Sequence, residues 1–219
     1  MPTVVIPARN EEQRVGDTVR AAATLIGVAR VIVVDDGSRD DTTGAAEAAG
    51  ATVLRHHNAR GKAAALETGA RVAGSGVLLF LDADLGKTAA NAGPLITPVT
   101  DGTADMTIAA FAATVKLGGH GIVVRTARGG ILRATGWTAT QPLNGQRCLT
   151  WQAFTAARPL ASGFGAETGM TIDLLRKGFR IKEVEVDMAH RATGGDLRSQ
   201  LHRARQELDV LRALATRVR

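Results

Sequence analysis

The stretch Gly76-Val77-Leu78-Leu79-Phe80-Leu81-Asp82-Ala83-Asp84-Leu85 limits the fold more than any other part of the chain. An apolar run with no polar interruption fits a strand buried on both faces, as in the middle of a parallel sheet. The strand then delivers two carboxylates at its carboxyl end. Side chains alternate along a strand, but a chain that turns on leaving it can bring Asp82 and Asp84 to one ion. Carboxylate oxygens suit Mg²⁺ or Mn²⁺, and such ions are commonly held by one or two carboxylates together with phosphates of a substrate. Asp is also common in plain turns, so the rest of the chain decides between the two meanings.

The first half repeats one unit. Thr3 to Pro7 is β-rich and leads through Ala8-Arg9-Asn10-Glu11-Glu12 into a helical pattern at Val15, Val19, Ala22 and Leu25/Ile26. Val31-Ile32-Val33-Val34 is a second buried strand, ending in Asp35-Asp36-Gly37-Ser38, where glycine permits a sharp turn and Ser38, Asp40 or Asp41 can cap the next helix. That helix runs from about Thr42 to Ala49 and stops at Gly50, and Thr52 to Arg55 is the third strand. Asn58-Ala59-Arg60-Gly61-Lys62 then opens an alanine-rich helix to about Val72. Strands alternating with helices imply parallel pairing through right-handed crossovers, with ligands bound at the carboxyl ends of the strands. Asn10-Glu11-Glu12, Asp35-Asp36 and Asp82/Asp84 all fall at those ends. Any one of them is ordinary turn chemistry, whereas three on one edge point to a site.

Past Asp84 the spacing predicts a helix near Thr88–Ile96 ending around Pro98, a strand over Met106–Phe111, and a mobile loop from Leu117 to Thr126 containing Gly118-Gly119-His120-Gly121. Pro142-Leu143-Asn144-Gly145-Gln146-Arg147 precedes a helix near Trp151–Ala157. Gly163-Phe164-Gly165-Ala166-Glu167 opens a helix that reaches Lys177 and stops at Gly178. Arg180–Asp187 alternates apolar and charged residues, as an edge strand does. Asp196 to Arg219 reads as a helix with an apolar stripe of Leu197, Leu201, Ala204, Leu208, Leu211, Ala215 and Val218, decorated with arginines. Such a helix packs on its own domain, on a second subunit in a homodimer, or on an anionic membrane surface.

The net charge of +6 suggests an anionic partner. Nucleic acid is not expected, because aromatics make up 3% of the residues, there is no tyrosine to stack on bases, and no zinc-ligand spacing occurs. No apolar run approaches the ~20 residues of a membrane span. A strand-like TVVIP at Thr3 with no basic leader, and a lone Cys148 that has no partner for an internal disulfide, fit a cytoplasmic protein. With 219 residues and no linker, the chain reads as one α/β domain, a mostly parallel Rossmann-like sheet flanked by helices, with residues 1–111 as a first half that holds the three acidic clusters and 112–219 as a second half that ends in the amphipathic helix.

Ile6-Pro7-Ala8-Arg9-Asn10-Glu11-Glu12, Val33-Val34-Asp35-Asp36-Gly37-Ser38 with Asp41-Thr42, Gly61-Lys62, and Leu81-Asp82-Ala83-Asp84-Leu85, in that order, resemble the nucleotide-sugar glycosyltransferases of the GT-A fold, in the family that includes dolichyl-phosphate mannose synthases. Gly163 to Gly169 and His190-Arg191 are similar to the glucosyl-3-phosphoglycerate synthase group. The resemblance implies a nucleotide-sugar donor, with a UDP-sugar such as UDP-glucose first, a hydroxyl-bearing acceptor, and Mn²⁺ or Mg²⁺ as cofactor. It places Pro7, Ala8, Asn10 and Glu11 around the nucleotide and Asp36 on the base. Lys62 would lie near base or diphosphate, and Asp82 and Ala83 against the donor. Asp84 would be the principal metal ligand, joined by Asp82 and His190. Glu167 is the expected catalytic carboxylate, a base if the reaction inverts and a positioning group if it retains configuration. An anionic acceptor is expected near Asn144, Gly145, Arg147 and Arg191. Competing readings are a polyprenyl-phosphate glycosyltransferase at a membrane surface, a sugar-nucleotide pyrophosphorylase, whose glycine-rich N-terminal loop is absent, and a non-catalytic nucleotide-binding module.

Overall fold

The computed structural model describes residues 1–111, 121–163, 165–188 and 208–217. The chain opens with β1 (Thr3–Ala8), α1 (Val15–Ala23), β2 (Arg30–Asp35), α2 (Thr42–Ala48), β3 (Thr52–Arg55), α3 (Lys62–Ala73) and β4 (Val77–Phe80). A 3₁₀ helix at Gly86–Ala92, α4 (Gly93–Thr100), β5 (Met106–Phe111), α5 (Gly121–Thr135), β6 (Arg147–Thr150), α6 (Trp151–Ala157), α7 (Gly165–Arg176) and β7 (Ile181–Val186) follow. Residues 208–215 form a last helical segment, α8.

One seven-stranded sheet runs in the order β3-β2-β1-β4-β6-β5-β7. The parallel block expected from alternating strands and helices is present in β3, β2, β1 and β4. Strand β4 is the seam: it pairs parallel with β1 on one side and antiparallel with β6 on the other, with Phe80 opposite Arg147. Being buried on both faces is satisfied by alternation. Val4, Ile6, Leu79 and Leu81 enter one core with α1, the 3₁₀ helix and α4, whereas Val5, Leu78 and Phe80 enter another with α3, α6 and α7. Pro7 is tolerated in a central strand because the β1–β4 register ends at Val5–Phe80, so its missing N–H falls beyond that ladder. Gly69 lets α3 lie close on the sheet, since a Cβ there would run into Val5 Cγ1 and come 3.1 Å from Val34 Cγ2.

Several expectations change. The helix expected from Thr88 is a 3₁₀ turn followed by α4, and Pro98 lies inside α4 rather than at its end. Residues 121–126, expected as part of a loop, are the first turns of α5; Gly118, Gly119 and His120 lie outside the described residues. Strand β6, absent from the sequence reading, is four residues long and begins with an arginine. Strand β7 is at the edge, as expected, and pairs parallel with β5. Of the helix expected over Asp196–Arg219, residues 196–207, 218 and 219, with Leu197, Leu201, Ala204 and Val218 of the stripe, lie outside the described residues; in α8 the face is reversed. Val210, Ala213 and Leu214 pack against Val123, Ala127 and Ile131 of α5 and Ile172 of α7, while Leu208, Leu211 and Ala215 of the expected stripe face outward. Arg217 anchors this segment through Asp173 at 2.7 Å. No helix among the described residues is long and apolar enough to cross a membrane.

Candidate functional site

Parallel β1, β2 and β4 end on one edge, and antiparallel β6 begins on that same edge. The loop entering β6 is therefore delivered beside the loop leaving β4, and this brings Gly145 and Gln146 to Asp82. Lys62, in the first turn of α3, places Nζ 2.7 Å from Asp82 Oδ1 and 3.0 Å from Glu167 Oε1, which sits in the first turn of α7. Gln146 Nε2 donates to the other Asp82 oxygen at 2.9 Å. α3 and the loop entering β6 thus meet at the Asp82 carboxylate, and α7 joins them through Lys62. Burial alone would push the Lys62 ammonium toward its neutral form, but the charges of Asp82 and Glu167 outweigh this and hold its pKa above the ordinary lysine value. It remains a cation at neutral pH.

The clamp is tight. A Cβ on Gly145 would overlap Lys62 Nζ and lie 3.0 and 3.2 Å from the Asp82 oxygens. Glu167 Oε2, Gln146 Oε1 and Thr168 Oγ1 are buried without a hydrogen-bond partner in the structure. Buried polar atoms are normally paired, and orphans cluster where a ligand, water or ion completes the network.

The turn carrying Asp82 and Asp84 is held from below. Fully buried Thr18 on α1 donates to Ala83 O at 2.8 Å and accepts from Gly86 N at 2.8 Å, and Arg14 Nη1 reaches Asp84 O at 3.4 Å. Asp84 is half-exposed on this edge. Two carboxylates suit a hard divalent cation that takes its remaining ligands from a diphosphate and water. No group of three or more His, Cys, Asp or Glu side chains able to hold a metal occurs among the described residues. His190 and Arg191, expected as a metal ligand and an acceptor contact, lie outside the described residues.

The rest of this edge is built from two interlocked loops. Asn10, at φ 57°, donates its N–H to Ser38 Oγ at 2.9 Å and accepts from Arg39 N at 2.9 Å, and Glu11 N donates to Thr42 Oγ1 at 2.9 Å. Pro7 and Ala8 end β1 directly below them. Asp35 is consumed internally by Ser38 N and Thr43 Oγ1 at 2.8 and 2.7 Å. Asp36 faces the N-terminus of α3, accepting from Arg60 N and Gly61 N at 2.8 Å each. Although burial pushes its pKa up, those N–H groups and His56 hold it below the usual carboxylate range.

Two residues expected on the acceptor side are turned into the fold. Arg147 is 1% exposed, and its guanidinium donates to Asn144 O, Thr171 Oγ1 and Pro142 O. Burial lowers its pKa to about 10, partly opposed by the charges of Glu167 and Glu183. Asn144 bridges Ala109 O and Gln146 N. Both spend these bonds building the loop, and among the described residues of that set Gly145 lies against Lys62 Nζ and Asp82. Gln146 is a site residue that the sequence does not single out: it lies within Pro142–Arg147, and nothing in its spacing ties it to Asp82.

The model of the family described as "Glycosyl transferase family 2" matches residues 3–156, which hold β1 to β6 and every acidic cluster of the edge. The chain belongs to glycosyl transferase family 2. Among family relatives, it is 28% identical over 198 residues to a glucosyl-3-phosphoglycerate synthase of Mycolicibacterium paratuberculosis, covering 78% of this chain and 59% of that protein. It is 29% identical over 206 residues to glycosyltransferase AglJ of Haloferax volcanii, covering 90% and 67%. The chain thus spans about three fifths of the synthase's length. Glucosyl-3-phosphoglycerate synthase from Mycobacterium tuberculosis, crystallised with Mg²⁺ and UDP, superposes with a TM-score of 0.84 at 25% identity, over 100% of this chain and 79% of that one. A second structure of that enzyme, with Mn²⁺, UDP and phosphoglyceric acid, gives 0.84 at 26%, over 100% and 78%.

Proposed function

We propose that this chain is the transferase domain of a cytoplasmic, divalent-metal-dependent enzyme that moves a hexose from a UDP-sugar, UDP-glucose first, to a small anionic acceptor of the phosphoglycerate type. The observation that carries the reading is the Lys62 ammonium held between Asp82 and Glu167 on the edge where β1, β2 and β4 end. Support for donor, cation and acceptor comes from solved relatives, whose structures contain UDP-glucose, Mn²⁺ and phosphoglyceric acid.

Asp84 and Asp82 would hold the cation, which when bound neutralises negative charge on the diphosphate as the sugar–phosphate bond breaks. Lys62 is the protein's own positive charge beside that leaving group, and moving it from the carboxylates to a phosphate needs only a side-chain rotation. Glu167 Oε1 is already committed to Lys62 and Oε2 is sealed from solvent. We therefore read Glu167 as orienting Lys62 and the donor sugar rather than taking the acceptor's proton. Asp36 would receive the base, and Asn10 and Glu11 would flank the ribose.

The test is UDP release from a panel of UDP-, GDP- and dTDP-sugars with Mn²⁺, with and without 3-phosphoglycerate. Acceptor-dependent release from UDP-glucose that stops with EDTA is expected; release from GDP-sugars alone, or none from any donor, contradicts the reading. Gly145→Ala should melt close to wild type, because the atom it displaces is the end of a flexible lysine. It should weaken UDP binding by about tenfold or more, the scale of one charge-assisted hydrogen bond. Titration calorimetry reads the affinity.

A further inference from the structure

Behind Asp36 lies a relay that the site as described does not use. His56, which follows β3, is 7% exposed. Its Nδ1 lies 2.7 Å from Asp36 Oδ1 and its Nε2 3.0 Å from Thr68 Oγ1 on α3. An ionised carboxylate can only accept, so the proton must be on Nδ1. The Thr68 hydroxyl is then free to donate to Nε2 and fix the ring from behind.

The acceptor count on Asp36 follows. His56 Nδ1 and Arg60 N both donate to Oδ1, and Gly61 N donates to Oδ2. A carboxylate offers about four acceptor positions, so three are filled by the described residues and one remains, on Oδ2. A uracil or thymine ring presents one imide N–H and matches a single acceptor. Cytosine presents a bare ring nitrogen at the same place, and guanine presents two adjacent donors that call for two acceptors.

We propose that His56, held by Thr68, is a positioning residue that fixes Asp36 with one open acceptor and so selects an imide base, uracil or thymine, in the donor nucleotide. The proposal rests on the nucleotide-sugar reading of the site and adds to it a base-selecting device remote from the diphosphate. Neither His56 nor Thr68 touches the base.

The decisive quantity is the ratio of UDP to CDP affinity with Mn²⁺, measured by titration calorimetry on the full chain. Wild type should favour UDP by about tenfold or more, since CDP would leave a charged acceptor unpaired. His56→Leu should bring the ratio close to one. His56→Asn keeps an N–H where Nδ1 stands and should stay within about threefold of wild type. A merely structural histidine would change the melting temperature and leave the ratio alone, so an unchanged ratio in His56→Leu overturns the proposal. So does a collapse in His56→Asn equal to that in His56→Leu. If His56→Leu does not fold, isosteric Thr68→Val carries the test: a ratio lowered several-fold supports the relay, and an unaltered one overturns it. Binding of none of UDP, dTDP, CDP or GDP by wild type would remove the transferase reading, and this proposal with it. Equal binding of UDP and CDP by wild type would spare that reading and remove this proposal alone.

Discussion

Replacing Asp84 by asparagine is expected to abolish the metal-dependent part of UDP binding while the protein still folds. Asp84 stands half-exposed at the edge, and the turn beneath it is secured by main-chain contacts from Thr18 and Arg14 that asparagine leaves in place. The melting temperature should therefore move little. Affinity should move a great deal. Loss of groups that merely support metal ligands costs about 10–100-fold in metal affinity, so loss of a carboxylate ligand should cost at least about 100-fold in Mn²⁺-dependent UDP affinity. Titrating UDP at saturating Mn²⁺ into both proteins checks this, and equal affinities would show that Asp84 does not hold the cation.

Lys62→Met should have the second large effect, and on turnover more than on substrate binding. The ammonium sits 2.7 and 3.0 Å from two carboxylates, with its side chain still 27% exposed. This is a strong cation poised beside an opening. Removing one preorganised donor aimed at developing charge lowers kcat by about 10²–10³-fold in well-studied enzymes, and a fall of that size is expected here in UDP-glucose turnover. KM should rise less, since in the free protein the ammonium is already paired with carboxylates and exchanges one set of partners for another. A kcat within about threefold of wild type would reduce Lys62 to a structural tether. Its removal also leaves Asp82 and Glu167 facing one another without a counter-charge, so a melting curve should accompany the kinetics.

The parallel half of the fold was legible because its signals are local. Each apolar run ends in a turn, each turn in a helix, and the period alone places Asp36, Asp82 and Asp84 on one edge. Lys62 and Glu167 enter through the family resemblance and not through the period, and their pairing is not legible, because only the packing of α3 and α7 on the same core brings them together. Strand β6 was hidden by its shortness and by Arg147, a residue that spacing assigns to the surface. Its burial depends on three oxygens, from Pro142, Asn144 and Thr171, that no local pattern announces. The same limit applies to α8. Two apolar faces compete there, and the one that packs is chosen by Ile131 and Ile172 on other helices. Asp173 on α7 is occupied by Arg217, which docks the last segment on that helix. His56 and Gln146 were invisible for a like reason, since each draws its role from a carboxylate on a different loop.

The most direct test of the converging edge is calorimetric titration of UDP into the wild-type chain with Mn²⁺ and again with excess EDTA. Saturable one-to-one binding that requires the cation is the expected result. Binding of equal strength in EDTA, or no binding in either buffer, would contradict a site in which Asp82, Asp84 and Lys62 together receive a nucleoside diphosphate.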